Sequence, residues 1–295
     1  MARTLVAQGV RTLGLTLVLL FGVASAHAEG YRCVGERPTV DESDAAAAVE
    51  WKRAAVRGRV GKDLGYYKTL RYYYVAQRGI CDVGTYLTER VVLAPFLGFT
   101  LRVHQDVAEA LRRAEGRLVP APKVRRIGSL QVRTIRGPFG RSPWLSNHAL
   151  GTAIDIEPGR NLYLSPDELE VLSEVSGLEL LLNVDHDAGA RWDSLDRAQS
   201  AFVAKVGPWR RAQSRRAREL QRLARKGDAG AAQERDQIRA ALKTAGGRKL
   251  RAARRKGFLN LPRALVVALE AEGMTWCTDF VSGADLMHFE MRTAL

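Results

Sequence analysis

A histidine and an aspartate stand seven residues apart in the run Ser146-Asn147-His148-Ala149-Leu150-Gly151-Thr152-Ala153-Ile154-Asp155-Ile156, with a glycine and a short β-type stretch between them. Gly151 lets the chain turn after His148. Side chains alternate along a strand, so Ala153 and Asp155 face one way while Thr152, Ile154 and Ile156 face the core. A loop imidazole and a strand carboxylate can thus converge, and Ala153 leaves space beside the carboxylate.

A second cluster, Asp285-Leu286-Met287-His288-Phe289-Glu290-Met291, puts His288 and Glu290 on one strand face and Phe289 and Met291 on the other, with Asp285 in a turn before it. Two neutral imidazoles and one carboxylate suit zinc, leave a fourth position for water, and lower that water's pKa to about 7. A nearby unligated carboxylate would take the water's proton and pass it to a leaving amine. Glu290 reads as a carboxylate that orients a ligand histidine, while His104, in an expected helix, and His186, in a polar loop, do not read as ligands. Nucleophilic catalysis is disfavoured, because Ser146 lacks a GxSxG elbow and Cys277 beside His288 would need a thiolate–imidazole geometry that the sequence does not display.

The SxHxxGxAxD stretch from Ser146 to Asp155, followed by DxMHFE from Asp285 to Glu290, resembles the zinc D-alanyl-D-alanine carboxypeptidase and L-alanyl-D-glutamate endopeptidase family, which shares a fold with the hedgehog signalling domain. The pattern is closest to bacterial extensin-like and D,D-carboxypeptidase-like proteins. The resemblance implies one zinc per chain, with His148, Asp155 and His288 as its ligands and Asp285 as general base. It also implies that Arg133, with Arg136 as competitor, holds a substrate carbonyl or carboxylate, that Trp276 in Gly273-Met274-Thr275-Trp276 lines the cleft, and that Ser146 sits at its rim. The match spans roughly residues 95–193 and 257–295, and Cys277 stands where relatives often have glycine.

Arg3 and Arg11, the apolar run Leu13–Val23 and the small-x-small patterns at 24–28 read as a secretory signal peptide over residues 1–28, placing the mature protein in the periplasm or outside the cell. No later stretch could span a membrane. Removing the leader lowers the formal charge from +14 to +12, which draws anionic partners; export makes intracellular nucleic acid a poor candidate among them. Three cysteines without CxxC spacing argue against a cysteine zinc site, and export permits a disulfide, for which Cys33 with Cys81 is the expected pair.

The chain divides into an N-terminal helical lobe over 29–94, a catalytic domain over 95–193 and 257–295, and a basic helical insertion over 194–256. The lobe carries a helix over 41–60 and a cluster of Tyr66, Tyr67, Tyr72, Tyr73 and Tyr74, read as a packed face. Leu101, Val103, Val107 and Leu111 suggest one amphipathic helix over 95–116, with strands following over 124–135, 152–156 and 178–184. Ser165 caps a helix reaching about Val175, residues 259–272 form another, and a short strand closes over 287–291. Residues 210–256 hold seventeen Lys and Arg against four acids, a local charge of +13, in helices broken near Gly227 and Gly246-Gly247. That segment could meet anionic wall polymer or lipid, or simply keep the protein soluble.

The expected fold is α+β: a small antiparallel sheet carrying one zinc, flanked by helices, with the lobe and insertion attached. The expected function is zinc-dependent hydrolysis of a peptide bond in peptidoglycan stem peptides or cross-links, of D,D-carboxypeptidase or endopeptidase type. The alternative is a non-catalytic zinc-fold protein that binds the cell wall through its basic insertion.

Overall fold

A computed structural model describes residues 30–33, 70, 73–135, 144–280 and 282–294. The leader, the helix expected over 41–60, Tyr66, Tyr67, Tyr72 and Arg136 lie outside those residues. Residues 73–78 are helical, and Val83–Glu89 forms α1, which starts where the Asp82 side chain accepts from the Thr85 amide.

Alternation, not helical periodicity, governs the next stretch. Val91–Phe96 (β1) and Phe99–His104 (β2) pair antiparallel, Val91 opposite His104 and Phe96 opposite Phe99. The helix expected from residue 95 therefore begins at Gln105 and runs to Gly116 as α2. Leu101 and Val103 are buried at a spacing of two, whereas Val107, Ala110, Leu111 and Ala114 are buried at spacings of three and four.

The central sheet has four short antiparallel strands: Ile127–Gly128 (β3), Ala153–Ile156 (β4), Thr275–Trp276 (β6) and His288–Glu290 (β8), in the order β3-β4-β8-β6. Only Ile127–Gly128 of the strand expected over 124–135 forms, with one isolated bridge joining Thr134 to Leu145. Tyr163–Leu164 (β5) pairs with Ala284–Asp285 (β7) beside this sheet. Gly283 precedes β7 at φ +134, and a Cβ there would sit 2.0 Å from the Leu164 carbonyl oxygen, so only glycine lets the two strands approach.

Helices cover the sheet. Pro166–Ser176 (α3) opens with a full capping box between Ser165 and Glu168 and ends at Gly177. Ala188–Ala224 (α4) is followed by Ala229–Ala245 (α5), Arg248–Lys256 (α6) and Arg263–Ala271 (α7), so the breaks fall at the glycines the sequence indicates. α4 runs across the boundary expected at residue 194, and its Leu195, Phe202 and Val206 belong to the main core with Trp276, Phe289 and Leu265. The basic segment is anchored there too, through buried Ala245, Leu250 and Ala253.

The strand expected over 178–184 is a loop of mostly half-exposed residues. Side chains take the place of a strand partner: Ser194 Oγ accepts from the Leu181 amide, and the Thr278 hydroxyl donates to the Leu182 carbonyl. No described helix is long and apolar enough to cross a membrane.

Candidate metal centre

His148 sits in a 3-10 turn, Asn147–Leu150, that Gly151 ends at φ +72 by donating its amide to the Asn147 and His148 carbonyls. A Cβ at Gly151 would lie 2.8 Å from the His104 nitrogen, so the turn requires glycine on two counts. Beyond it, β4 pairs with β8 in a register that sets Asp155 directly opposite His288. The turn and the register together bring three side chains to one point. His148 Nε2 lies 3.2 Å and His288 Nδ1 2.9 Å from Asp155 Oδ1, and the imidazole centroids are 4.9 Å apart. One ligand atom from each residue falls within 4.8 Å of the others, so the group could hold a metal ion.

Hydrogen bonds on the far side of each ring decide which nitrogen faces the centre. The Ser129 carbonyl, an acceptor only, lies 2.9 Å from His148 Nδ1, so that nitrogen carries the proton. His148 Nε2 is left with its lone pair, buried and without a hydrogen-bond partner. His288 Nε2 lies 3.3 Å from Glu290 Oε2, which turns Nδ1 toward Asp155. Glu290 is itself held by Asn147 Nδ2 at 2.6 Å and Arg292 Nε at 2.9 Å. Two imidazole nitrogens, each oriented by a further partner, and a carboxylate oxygen are a donor set that a divalent metal fits.

These rings and carboxylates shift one another's pKa values. Burial pushes the Asp155 carboxyl up, yet the adjoining His148 and His288 rings pull it well below the usual carboxylate range. For His288, burial disfavours the charged ring, but the hydrogen bonds to Asp155 and Glu290 prevail and raise it to about 9. Burial likewise raises Glu290, and its bonds to His288, Asn147 and Arg292 outweigh this, holding it at about 2. Asp285 differs: burial dominates and lifts its carboxyl to about 6. Its Oδ1 is buried with no hydrogen-bond partner, at the wall of the same cavity.

That cavity, of about 750 Å³, is lined by Arg133, Ser146, Tyr163, Phe280 and Asp285 beside the three candidate ligands. Arg133 is steadied by Gln131 Oε1 and the Thr134 carbonyl, each at 3.2 Å. The Ser146 amide bonds the Arg133 carbonyl at 3.1 Å, which keeps the two together on one wall. Trp276 is not at the cleft. It is fully buried in β6, stacked on Phe289 with its Nε1 donating to the Leu286 carbonyl, because the inner face of β6 turns into the core. Phe280, unremarked in the sequence, supplies the aromatic wall instead, 6.0 Å from the His288 ring. Cys277, His288 and Glu290 form a second group of potential ligand atoms, but burial pushes the Cys277 thiol far up and disfavours the thiolate a metal needs.

The N-terminal lobe grips the His148 turn. Leu145 N donates to Gln77 Oε1 at 2.9 Å, Arg78 Nη2 to Asn147 Oδ1 at 3.1 Å, and the hydroxyls of Tyr74 and Tyr86 to the carbonyls of Ala149 and Leu150. Ala149 and Leu150 share a small apolar core with Tyr31, Tyr74, Ile80 and Tyr86. A disulfide between Cys33 and Cys81 ties this lobe together, with Tyr31 edge-on to Tyr86 at 5.2 Å. Asn147, Ser129, Gln77 and Arg78 therefore join the site, and of these only Asn147 lay inside the recognisable motif.

No family model, curated protein or solved structure matches this chain.

Proposed function

We propose that this protein is an exported zinc metallopeptidase that hydrolyses a peptide bond in peptidoglycan stem peptides or cross-links. The observation carrying this reading is a pairing: a compact two-histidine, one-aspartate donor set beside a desolvated carboxylate, Asp285, whose pKa lies near 6. His148 Nε2, His288 Nδ1 and Asp155 Oδ1 would hold the ion. Bound there, zinc supplies Lewis acidity, drawing charge from a carbonyl oxygen and acidifying a water.

The remaining chemistry falls to the chain. A carboxyl with a pKa near 6 is mostly ionised at neutral pH, yet basic enough to accept a proton from water and return it to a departing amine. Its unpartnered, buried Oδ1 has no competing donor among the described residues. Arg133 on the cavity wall is suited to a substrate carboxylate or to the oxyanion formed during attack. Export, and with it access to peptidoglycan, is supported by the leader-like N-terminus and by a disulfide suited to an oxidising compartment. A non-catalytic wall-binding module has no use for a desolvated carboxylate beside its metal.

The test is metal content and release of new amino groups from purified peptidoglycan, measured on wild type and His148→Ala. One zinc per wild-type chain, lost together with hydrolysis in the variant, is the expected result. Zinc without hydrolysis would transfer the site to the binding-module reading, and absence of zinc would remove both.

A further inference from the structure

Five arginines, Arg211, Arg215, Arg218, Arg222 and Arg225, recur along the distal half of α4 and at its C-terminal cap at alternating spacings of four and three. At 3.6 residues per turn they fall within an arc of about 80°, forming a single row about 21 Å long with one charge every 5 Å or so. The row points away from the protein: the buried residues of this half, Ala217 and Leu220, lie on the opposite side. All five are exposed, and none makes an ion pair or side-chain hydrogen bond among the described residues. The acids nearby face other cations: Glu219, on α4 itself, and Glu234 pair with Arg216, and Asp236 with Arg235 and Arg239.

We propose that this row is a docking ridge for a linear, phosphate-bearing polyanion, a site separate from the metal centre. Mere solubility needs interspersed charges of both signs, whereas here one sign is aligned and left unneutralised. The choice of cation points the same way. Thirteen of the seventeen cations in residues 210–256 are Arg, whose planar fork binds phosphate oxygens two at a time. A single straight file of charges addresses a chain more closely than a sheet of headgroups. The ridge also has no apolar side chain within it to enter a bilayer, unlike a membrane-seeking amphipathic helix.

The probe is inorganic polyphosphate, titrated against the full mature protein at a series of salt concentrations. Five phosphate contacts give a log–log salt slope of about 3.5 in magnitude, taking about 0.7 per contact on a single-stranded polyanion. In Arg215→Gln/Arg218→Gln/Arg222→Gln the slope should fall to about 1.4, with binding at least tenfold weaker. The comparison is Lys123→Gln/Arg126→Gln/Arg160→Gln, which removes the same charge from exposed positions elsewhere and should leave the slope unchanged. Equal losses in the two variants would reduce the effect to net charge and overturn the ridge. So would tighter binding to phosphatidylglycerol vesicles than to polyphosphate, or no saturable binding to either. Substitutions serve better than deletion of 210–256, which would strip Leu250 and Ala253 from the core.

Discussion

Asn147 Nδ2 donates to Glu290 Oε2 across 2.6 Å, although the two residues are 143 positions apart. Each neighbours a candidate ligand: Asn147 precedes His148, and Glu290 is two residues beyond His288 on the same strand face. The bond therefore joins the two halves of the centre behind the donor atoms. Removing it in Asn147→Ala leaves Glu290 held only by Arg292 and by His288 itself, and His288 less firmly aimed. Metal affinity, measured by competition with a chromophoric chelator, should weaken roughly tenfold to a hundredfold. An unchanged affinity would sink the idea that Asn147 couples the motifs.

Asp285→Asn has two opposite expected effects. Turnover should fall by roughly 10²–10⁴ with metal still bound, as for loss of a general acid–base group. Stability of the metal-free protein should move the other way. A carboxyl raised from 3.8 to about 6 on folding stabilises fully below its unfolded value, and that contribution is lost as pH rises through about 6. At pH 7.5 the ionised carboxylate is thus a cost, of up to about 3 kcal/mol, that the amide avoids. Thermal melts of both metal-free proteins at pH 7.5 and pH 4 check this: the variant's advantage should be present at pH 7.5 and mostly gone at pH 4.

The Cys33–Cys81 bond closes a loop across 48 positions, for which chain entropy gives about 4 kcal/mol. In Cys33→Ser/Cys81→Ser the loss should reach the metal centre, because the same lobe supplies Gln77, Arg78, Tyr74 and Tyr86 to the His148 turn. Faster metal release under chelator, together with a lower melting temperature, is the expected result. A lower melting temperature with unaltered release would confine the disulfide to the lobe.

Gly151→Ala combines a left-handed backbone with a methyl group 2.8 Å from the His104 nitrogen. The first alone costs about 1–2 kcal/mol, so urea denaturation should report a loss above about 2 kcal/mol. A near-neutral result would mean that the turn relaxes more than a packed strand end permits.

The candidate ligands were legible in the sequence because their convergence rests on local rules. A glycine turn and period-two alternation orient His148, Asp155, His288 and Glu290 before any tertiary contact is known. The hairpin β1–β2 was not, since Leu101 and Val103 at period two run directly into Val107 and Leu111 at helical spacing, and the join is invisible in an apolar pattern. Residues 178–184 are leucine-rich yet bonded through side chains, so hydrophobicity alone suggested a strand there. Trp276 misled for a similar reason: the local motif marks an aromatic near the centre but not which side of β6 it faces. The lobe's grip on the turn is set by contacts 64 to 75 residues apart, which no window of sequence displays.

The contact between Asp155 and His288 closes a chain segment spanning 133 positions, within which lie α3 to α7. Closure entropy grows only with the logarithm of length, so doubling a flexible segment costs about 0.6 kcal/mol. The centre is thus nearly indifferent to how much chain lies between its halves, provided that Leu195–Val206 and the anchors Ala245, Leu250 and Ala253 still seat in the core. The outward part of the helical segment is free to lengthen, shorten or change its charge as a cassette, and a fold organised this way can acquire new surfaces while its chemistry stays fixed.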